Sequence, residues 1–581
     1  MLPSIHVIIE EFTALPMDSS SACSAAERLV SWFSSASVAD AAAANSLWTS
    51  GQYAQLYDMF YRDLGFGTGG CRGQVGIGPN RFNTTTLGRL LSAHGRWLLL
   101  TVPRIQSRGI VFGWDTRQFH DVSGVFDDES APDVLGQRSV DFATFAAGVY
   151  GGLGIRTYLP VAGGTVGALS FGIRSQEAAA GVYISASHNP PDHNGVKLYD
   201  ASGCQVIPPD DAAIAEIVVD DEPVLSAQHT LPLPQTVREA WMSDLLDVVG
   251  PHSAAGLTVA YTALHGAGAQ AVPELLTRAG ATVHVVEHQQ VANGTFSSIP
   301  GASPNPENAL ALADAITLGQ SVNADLVLGT DPDADRLGVA VPTQDGWRVL
   351  NGNEIAALCV AEAVKTAPAD ALVLRTAVTT SLVSRIAHRA GLRVVDQERV
   401  GFKYLGAALD REGGPLAIAV EESHGVLVSG SMRDKDAVGA ALLMARAVCS
   451  APLQEQLTQL DGTFGPVRSL LVTHPLAGPD GQARLVAGLA HLRTAPPSTL
   501  AGQPVVRVED WLDGPGPASD TEAASRDVLR FWLTDGVVTL RASGTEAKVK
   551  VYVERGREPG ESAVGLSESL QPIADALLAL L

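Results

Sequence analysis

Short apolar runs followed by polar loops recur along the chain, and a helical pattern follows many of them. Four such runs begin at Gly256, Ala324, Ala371 and Leu416. Apolar runs of strand length that alternate with helical patterns are typical of βα units with parallel sheets. Because ligands bind at the carboxyl ends of strands in such folds, the polar residues that close each run are the first candidates for a site.

The C-terminal part of the chain shows a different pattern. Asp535-Gly536 lies between two alternating runs and predicts the turn of a β-hairpin, and "KVKVYVE" from Lys548 alternates again. This pattern predicts a smaller α+β domain. The 581 residues are about four times the usual length of one domain, which predicts three or four domains in all.

Composition and charge exclude several classes of protein. Hydrophobic residues make up 46% of the chain and charged residues 17%, as in folded globular proteins. The net charge of −23 and the lack of a Lys/Arg run argue against nucleic acid or an anionic membrane as a partner. No apolar run reaches the roughly 18 residues that span a bilayer.

The N-terminus and the cysteines indicate a cytoplasmic protein. The first apolar patch lacks a basic segment and runs into Glu10 and Glu11, which is a poor export signal. The five cysteines have no Cys-x-x-Cys spacing, which argues against a zinc site and a disulfide framework.

The stretch "GTDPDADR" places Asp331, Asp333 and Asp335 directly after an apolar run. Three converging carboxylates repel one another unless a hard cation joins them, so the pattern predicts a divalent metal site rather than a solvated acidic loop. An EF-hand needs Gly and Glu where Arg336 and Pro342 stand, and is excluded. A phosphatase whose nucleophile is an Asp of this loop stays open.

The stretch "LRASGTEAKVKVY" combines Arg541, Ser543, Gly544, Thr545 and Lys548 in one loop. Hydroxyl groups, accessible backbone N–H groups and fixed positive charge are the parts of a phosphate-binding loop. An ordinary Ser-Gly-Thr turn is the alternative.

In "GVYISASHNPPDHNGVKLYD", Ser187 closes a β-branched run, with His188 and Lys197 close by. A hydrolase nucleophile elbow would have Gly where Ser185 and Asn189 stand, which argues against acyl transfer. A serine hydroxyl needs a base or must itself carry the transferred group. Together with the predicted metal and phosphate loops, Ser187 favours phosphoryl chemistry.

These motifs resemble those of the α-D-phosphohexomutase family, which includes phosphoglucomutase and phosphomannomutase. "SASHNPPDHNGVK" resembles the phosphoserine loop, "DPDADR" the Mg²⁺ loop, "VEESHG" the sugar-recognition loop and "RASGTEAK" the phosphate loop. Other stretches, among them "FGTGGCRG", "GWDTR", "YTALHGAG" and "RDKD", resemble the branch with phosphopentomutase-like members.

The resemblance implies a fold. We expect an α/β protein with three related α/β/α domains that have mixed sheets, plus a smaller C-terminal α+β domain, around a central cleft. The expected domains are 1–235 with an N-terminal extension and the phosphoserine loop, 236–348 with the metal loop, 349–462 with the sugar loop, and 463–581 with the phosphate loop.

The resemblance also implies roles for residues of each motif. Ser187 is the phosphorylated serine, and it is expected to hold Mg²⁺ together with Asp331, Asp333 and Asp335. The catalytic residues implied are Ser187, His188, Lys197 and Lys435. The substrate-binding residues implied are Glu421, Ser423, Arg336, Arg433, Arg72 and Arg117. The phosphate-binding residues implied are Arg541, Ser543, Gly544 and Thr545.

Some of these roles have alternatives. His188 is also expected as a hydrogen-bonding residue that shapes its turn, and Arg72 and Arg117 as members of structural salt bridges. Ala542 and Ala547 stand where the family's phosphate loop often has Pro, but the side-chain ligands are present.

The activity implied is interconversion of hexose 1-phosphate and hexose 6-phosphate, of glucose or mannose, with Mg²⁺ and a sugar 1,6-bisphosphate activator. The partner is a small phosphosugar, and the oligomeric state, monomer or dimer, is open. Phosphopentomutase and a metal-dependent sugar phosphatase are the alternatives. A catalytically silent relative would lack Ser187 or a metal-loop Asp, and neither is missing.

Overall fold

The chain folds into two compact units. The first comprises Met1–Val349 and Val426–Ala445, and the second comprises Leu350–Gly425 and Arg446–Leu581. The predicted phosphoserine and metal loops therefore lie in the first unit. The residues that this computed structural model describes are 2–15, 21–67, 69–126, 130–219, 221–476, 481–513, 526–542 and 548–581.

The N-terminal extension is a set of helices with its own apolar core. The helices are α1 (Ile5–Thr13), α2 (Ala22–Phe33), α3 (Val38–Thr49) and α4 (Tyr53–Phe60). Their core includes Phe12, Leu29 and Phe60, and it also includes Ile77 from beyond the helices. The extension therefore packs on the α/β domain that follows it.

The first α/β domain has a mixed sheet in the order β1-β5-β4-β2-β3-β6. Its elements are β1 (Gly70–Gln74), α5 (Thr84–Thr101), α6 (Ile105–Arg108), β2 (Ile110–Trp114), α7 (Ser139–Gly152), β3 (Thr157–Leu159), α8 (Val166–Ser175), β4 (Ala180–Ile184), β5 (His193–Tyr199), α9 (Asp210–Ala215) and β6 (Thr230–Pro232). Strands β2 and β4 are parallel and buried at every position, as central strands with helices on both faces are. The turn with Ser187 follows β4, beside the carboxyl end of β2.

The second α/β domain has a sheet in the order β11-β10-β9-β7-β8. Its elements are α10 (Gln235–Val249), β7 (Thr258–Thr262), α11 (Gly268–Arg278), β8 (Thr282–Val285), α12 (Glu287–Gln290), α13 (Ala313–Val322), β9 (Leu326–Thr330), β10 (Leu337–Thr343) and β11 (Gly346–Val349). Strands β7, β8 and β9 are parallel, and β10 and β11 are antiparallel. The predicted metal loop connects β9 to β10.

The third α/β domain begins the second unit. The elements from this point of the chain are α14 (Gly352–Ala363), β12 (Leu372–Thr376), α15 (Leu382–Arg389), β13 (Arg393–Glu398), α16 (Phe402–Glu412), β14 (Leu416–Glu421), β15 (Gly425–Leu427), α17 (Ala437–Ser450) and α18 (Leu453–Phe464). Parts of β15 and α17 belong to the first unit. Strands β13, β12 and β14 are adjacent and parallel. The predicted sugar loop starts where β14 ends.

The C-terminal domain is an antiparallel sheet in the order β16-β21-β20-β19-β18-β17. Its elements are β16 (Val467–Pro475), α19 (Gly481–Thr494), β17 (Thr499–Leu500), β18 (Gln503–Asp510), β19 (Val528–Leu533), β20 (Gly536–Ala542), β21 (Lys548–Gly556) and α20 (Leu570–Leu578). One face carries Phe531, Leu540 and Val551, which pack with residues of α19 and α20. Because side chains alternate across a strand, Arg541 lies on the opposite face.

This architecture confirms the predicted fold class of three α/β domains and a smaller α+β domain. Among the described residues, no single helix is long and apolar enough to cross a bilayer, although α17 and α18 reach that length and hydropathy as a bent pair.

The predicted hairpin is present, but its turn is shifted by one residue. Thr534 and Asp535 connect the strands, and Gly536 pairs with Leu533 inside the ladder. A Cβ atom at Gly536 would lie 2.1 Å from the carbonyl oxygen of Glu554 on β21. The glycine is therefore required for close approach of two strands and not for a turn conformation.

We expect Gly536→Ala to lower the free energy of unfolding by about 1–3 kcal/mol, because the added methyl group forces the two strands apart. The matched control is Gly462→Ala on α18, where the position is exposed and a Cβ atom meets nothing within 4 Å. That change should be neutral or stabilise by up to about 1 kcal/mol. Urea unfolding of both variants measures this, and equal shifts would contradict the strand-contact explanation.

Candidate active site

Ser187 lies in the turn after β4 in a left-handed backbone conformation, with φ +54°. It is 2% exposed, and its Oγ donates a hydrogen bond to Asp331 Oδ2 at 2.8 Å. The same Oγ is 3.2 Å from His188 Nδ1. A left-handed conformation costs a non-glycine residue roughly 1–2 kcal/mol, and such residues cluster at functional sites. The turn thus presents the Ser187 hydroxyl to the loop that follows β9.

Asp331, Asp333 and Asp335, which we call the acidic triad, converge in that loop. All three are buried, and one carboxylate oxygen of each lies within 4.8 Å of those of the other two. Asp331 Oδ1 accepts hydrogen bonds from the backbone N–H groups of Asp335 and Arg336, each at 3.0 Å. The loop is therefore folded around the first carboxylate of the triad.

Two lysines supply positive charge to the triad. Lys197 Nζ, on β5, donates to Asp333 Oδ2 at 2.9 Å and to Asp335 Oδ2 at 3.0 Å. Lys435 Nζ lies 3.2 Å from Asp335 Oδ2 and 3.2 Å from Asp434 Oδ1. The two ammonium groups offset only part of the negative charge, because the triad alone brings three carboxylates.

The triad is not ionised uniformly. Burial raises the pKa of Asp331 well above its usual value, and the charges of Asp333 and Asp335 raise it further. Burial also disfavours ionisation of Asp335, but Lys197 and Lys435 hold the pKa of that carboxyl well below its usual range. The unrelieved repulsion is therefore concentrated at Asp331, the residue that contacts Ser187.

The triad fits a divalent cation. Oδ1 of Asp333 and Oδ1 of Asp335 are buried, and neither has a hydrogen-bond partner in the part of the chain that the structure describes. Leaving buried carboxylate oxygens unpaired is costly, whereas hard cations such as Mg²⁺ bind carboxylate oxygens. The residues present can therefore hold such an ion through Asp331, Asp333 and Asp335.

His188 is a neutral imidazole at physiological pH. Burial lowers the pKa of His188 to about 2, and the positive charges of Arg336 and Arg72 act in the same direction. An uncharged ring whose Nδ1 lies 3.2 Å from Ser187 Oγ can accept the hydroxyl proton when Nδ1 is unprotonated. Both expectations for His188, proton transfer and shaping of the turn, are compatible with this position.

The four arginines expected to bind substrate have different surroundings. Arg72 on β1 is exposed, and its charge interacts with that of Asp333. Arg336 pairs with Glu307, and Arg433 donates to two carbonyl groups of its own loop. Arg117 is 0% exposed, beneath the turn with Ser187. Arg72 is therefore the one of these four with both solvent exposure and a position close to the triad.

The sugar loop in the second unit follows β14. Glu421 ends the strand, Ser423 is partly buried in the loop, and Glu422 lies between them. The Glu422 carboxyl group lies 3.3 Å from Thr376 Oγ1 and 3.4 Å from Thr379 Oγ1. Burial raises the pKa of Glu422 to about 7, and the charge of Glu421 contributes. The loop therefore holds two adjacent acidic groups that compete for ionisation.

Of the residues predicted to form the phosphate loop, Arg541 near the end of β20 and Lys548 at the start of β21 lie in the part of the chain that the structure describes. Arg541 lies opposite Lys550 on the neighbouring strand β21, and Arg541 Nε has no hydrogen-bond partner among the described residues. Ser543, Gly544 and Thr545 lie outside the described residues.

Sequence models of phosphoglucomutase/phosphomannomutase match this chain domain by domain. The models of α/β/α domains I, II and III match residues 138–224, 239–346 and 351–461, and the model of the C-terminal domain matches residues 503–561.

Curated relatives match over most of the chain. A phosphoglucomutase from Staphylococcus aureus strain MSSA476 is 30% identical over 533 residues, which cover 86% of this chain and 92% of the relative. A phosphoglucomutase from Staphylococcus epidermidis strain ATCC 12228 is 30% identical over 520 residues, which cover 84% and 90%. This chain belongs to the phosphoglucomutase/phosphomannomutase family.

Solved structures agree with this family's fold. Parafusin, a phosphoglucomutase from Paramecium, superposes with a TM-score of 0.65 at 16% identity, covering 89% of this chain and 94% of parafusin. Membership of the α-D-phosphohexomutase family is thus confirmed. The phosphopentomutase-like branch and the four domain boundaries stay predictions.

The structure brings all four predicted catalytic residues of this family member into one cluster with the acidic triad. The residues of that cluster in the first unit are Ser187, His188, Lys197, Lys435, Asp331, Asp333 and Asp335. Residues that the sequence reasoning missed are Asp115, Ser185, Asp434 and Glu422. All four stand inside motifs that carry the resemblance, "GWDTR", "SASHNPPDHNGVK", "RDKD" and "VEESHG", and that was the available signal.

The raised pKa of Glu422 predicts a pH-dependent stability. The pKa of Glu422 in the folded protein, about 7, exceeds the 4.5 of an ordinary glutamate. The contribution of this group to the free energy of unfolding is therefore fully present below pH 4.5 and is lost as the pH rises through 7. We therefore expect Glu422→Gln to raise the Tm relative to the unmodified protein at pH 8, and to change it little at pH 4.5.

Thermal unfolding across this pH range measures the difference. The matched control is Glu455→Gln, at an exposed position in the first turn of α18, which should not raise the Tm at pH 8, because a negative charge at a helix N-terminus is favourable. A Glu422→Gln effect that is equally large at both pH values would contradict the assignment of this carboxyl group.

Proposed function

We propose that this protein interconverts the 1-phosphate and the 6-phosphate of a hexose through phosphorylated Ser187 and a hexose bisphosphate. The observation that carries the proposal is the 2.8 Å hydrogen bond between Ser187 Oγ and Asp331 Oδ2 in the buried acidic triad. Both curated relatives are phosphoglucomutases, which supports glucose as the preferred hexose and leaves mannose as the second candidate.

Each half-reaction exchanges one phosphorus–oxygen bond for another. The bond between phosphorus and Ser187 Oγ breaks, and a bond forms between phosphorus and the free hydroxyl oxygen of the hexose monophosphate. Overall, the hydroxyl proton of the sugar passes to Ser187 Oγ. The bisphosphate then turns round, and its other phosphoryl group returns to Ser187 by the reverse exchange.

The residues around Ser187 supply a hydrogen bond and charge. His188, with Nδ1 3.2 Å from Ser187 Oγ, is placed to form a hydrogen bond with the hydroxyl group that gains the proton. Lys197 and Lys435 keep positive charge beside the triad, and Arg72 adds an exposed guanidinium. Transfer of a phosphoryl group depends mainly on such positioning and charge neutralisation.

The triad is the proposed Mg²⁺ site. Asp331, Asp333 and Asp335 supply three carboxylates, and an oxygen of the phosphorylated Ser187 completes the set. When bound there, Mg²⁺ neutralises negative charge on the phosphoryl group. A hexose 1,6-bisphosphate serves as the activator because it phosphorylates Ser187.

The motifs of the second unit are proposed to bind parts of a hexose phosphate. Glu421 and Ser423 bind hydroxyl groups of the sugar, and the phosphate group that does not react binds at Arg541, Ser543, Gly544 and Thr545. Arg541 Nε has no hydrogen-bond partner in the described part of the chain, which supports this role, since a buried guanidinium N–H needs an acceptor.

The first test is a coupled assay of the purified protein with Mg²⁺ and a catalytic trace of glucose 1,6-bisphosphate. We expect isomerisation of glucose 1-phosphate with the highest kcat/KM, then mannose 1-phosphate, with ribose 1-phosphate lowest, and no net release of phosphate. A preference for ribose 1-phosphate would identify a phosphopentomutase. Steady phosphate release without isomerisation would identify a phosphatase and overturn the proposal.

A second test addresses the nucleophile. Ser187→Ala should lower isomerisation by at least ~1,000-fold, because the group that carries the phosphoryl is removed. Ser175→Ala, at the exposed end of α8, is the matched control and should keep full activity. Intact mass measured after incubation with glucose 1,6-bisphosphate should show one phosphoryl group on the unmodified protein and none on Ser187→Ala. Full activity of Ser187→Ala would exclude this mechanism.

A further inference from the structure

Asp115 is a buried carboxylate at the carboxyl end of β2, and its acceptor sites are filled. Oδ1 accepts from the backbone N–H of Arg117 at 3.0 Å and from Ser139 Oγ at 2.6 Å. Oδ2 accepts from Ser185 Oγ at 2.7 Å and from Arg117 Nε at 3.4 Å. Two of these donors, Ser185 and Arg117, contact the turn that carries Ser187.

Ser185 links Asp115 to the N–H group of Ser187. The backbone N–H of Ser187 donates to Ser185 Oγ at 2.7 Å. The single hydroxyl proton of Ser185 has Asp115 Oδ2 at 2.7 Å and Asp333 Oδ2 at 3.2 Å as acceptors. The shorter distance favours Asp115 as the acceptor, and an Oγ lone pair of Ser185 is left for the Ser187 N–H.

Arg117 links Asp115 to the carbonyl side of the same turn. Its Nη2 donates to the carbonyl oxygen of Ser187 at 2.6 Å, and its Nη1 donates to those of Asn189 at 2.8 Å and Pro190 at 2.5 Å. With the bond from Nε, four of the five guanidinium N–H groups have protein acceptors. Arg117 therefore has little capacity left to bind a substrate phosphate.

Both backbone polar groups of Ser187, its N–H and its carbonyl oxygen, are thus linked to Asp115 through one intermediate residue each. Ser187 is also in a left-handed conformation, which persists only where the surroundings impose it. Since this backbone conformation aims Oγ at Asp331, any relaxation of the turn moves the reacting oxygen away from the triad.

We propose that Asp115, through Ser185 and Arg117, is a positioning residue that holds the turn of Ser187 in its reactive conformation. The proposal rests on the proposed function, since it assigns Asp115 to the phosphoryl-transfer step. It also assigns Arg117 to the backbone of the turn rather than to the substrate.

The test compares Ser185→Ala, Asp115→Asn and the double variant. Displacement of a reacting group by about 1 Å can cost about 100-fold in rate, so each single change should lower kcat by about 10- to 100-fold. KM for the hexose phosphate should stay within about threefold, because neither residue binds substrate. The double variant should be about as slow as the slower single variant, because both changes break the same chain of contacts.

The matched control is Thr157→Val, which removes a buried hydroxyl group from the same sheet. Thr157 starts β3, and its Oγ1 donates to Thr230 Oγ1 at 3.1 Å, at the opposite ends of the strands from Ser187. This variant should lose stability without loss of kcat. If Ser185→Ala and Asp115→Asn behave like Thr157→Val, with lower Tm and kcat within twofold of the unmodified protein, Asp115 is only structural and the proposal fails. Additive losses in the double variant would also overturn it.

A measurement that does not depend on catalysis, hydrogen exchange, tests the positioning role of Asp115 separately from the proposed function. Hydrogen exchange of the unphosphorylated protein should be faster in the peptide that contains Ser187 for both single variants, and unchanged for Thr157→Val. If the unmodified protein neither isomerises hexose phosphates nor becomes phosphorylated on Ser187, the proposed function fails, whereas the exchange result still reports on the turn. Unchanged exchange in both single variants contradicts the positioning inference, whatever the activity.

Discussion

The repulsion among three buried carboxylates is the constraint on which the first unit depends. One oxygen of each lies within 4.8 Å of those of the other two, where negative charges cannot all persist without compensation. Lys197 and Lys435 supply part of that compensation, and a divalent cation and a phosphorylated Ser187 are proposed to complete the site. Much of the surrounding structure serves to hold these groups at short distance.

Three loops follow central strands of three α/β domains. The turn of Ser187 follows β4, the triad follows β9, and the sugar loop follows β14. Residues inside a central strand pair with the neighbouring strands and pack in the apolar core. Polar side chains that can contact a ligand therefore occur where the strand ends. The repeated βα pattern therefore places one of the motif loops at a strand end in each α/β domain, and Arg541 of the phosphate motif lies near the end of β20 in the antiparallel fourth domain.

The sequence pattern predicted the fold class, the strands before each loop and the identity of the acidic triad. It placed the C-terminal hairpin correctly but interpreted Gly536 as a turn residue, because the close approach of Glu554 on β21 is a contact between strands that no local pattern encodes. It gave Arg117 two interpretations, a substrate-binding residue and a member of a structural salt bridge. In the structure the guanidinium pairs with Asp115 and donates to carbonyl groups of the phosphoserine turn.

The sequence by itself determined which residues lie in loops at strand ends, because the spacing of apolar residues and the positions of turn residues are local signals that extend over a few residues. Only the tertiary structure decided which loops meet. The Ser187–Asp331 bond joins residues 144 positions apart, and the Asp115–Ser185 bond joins residues 70 apart. The neutral state of His188 likewise follows from burial and nearby arginines. Such contacts and charges depend on how strands pack side by side, which short-range sequence patterns do not specify.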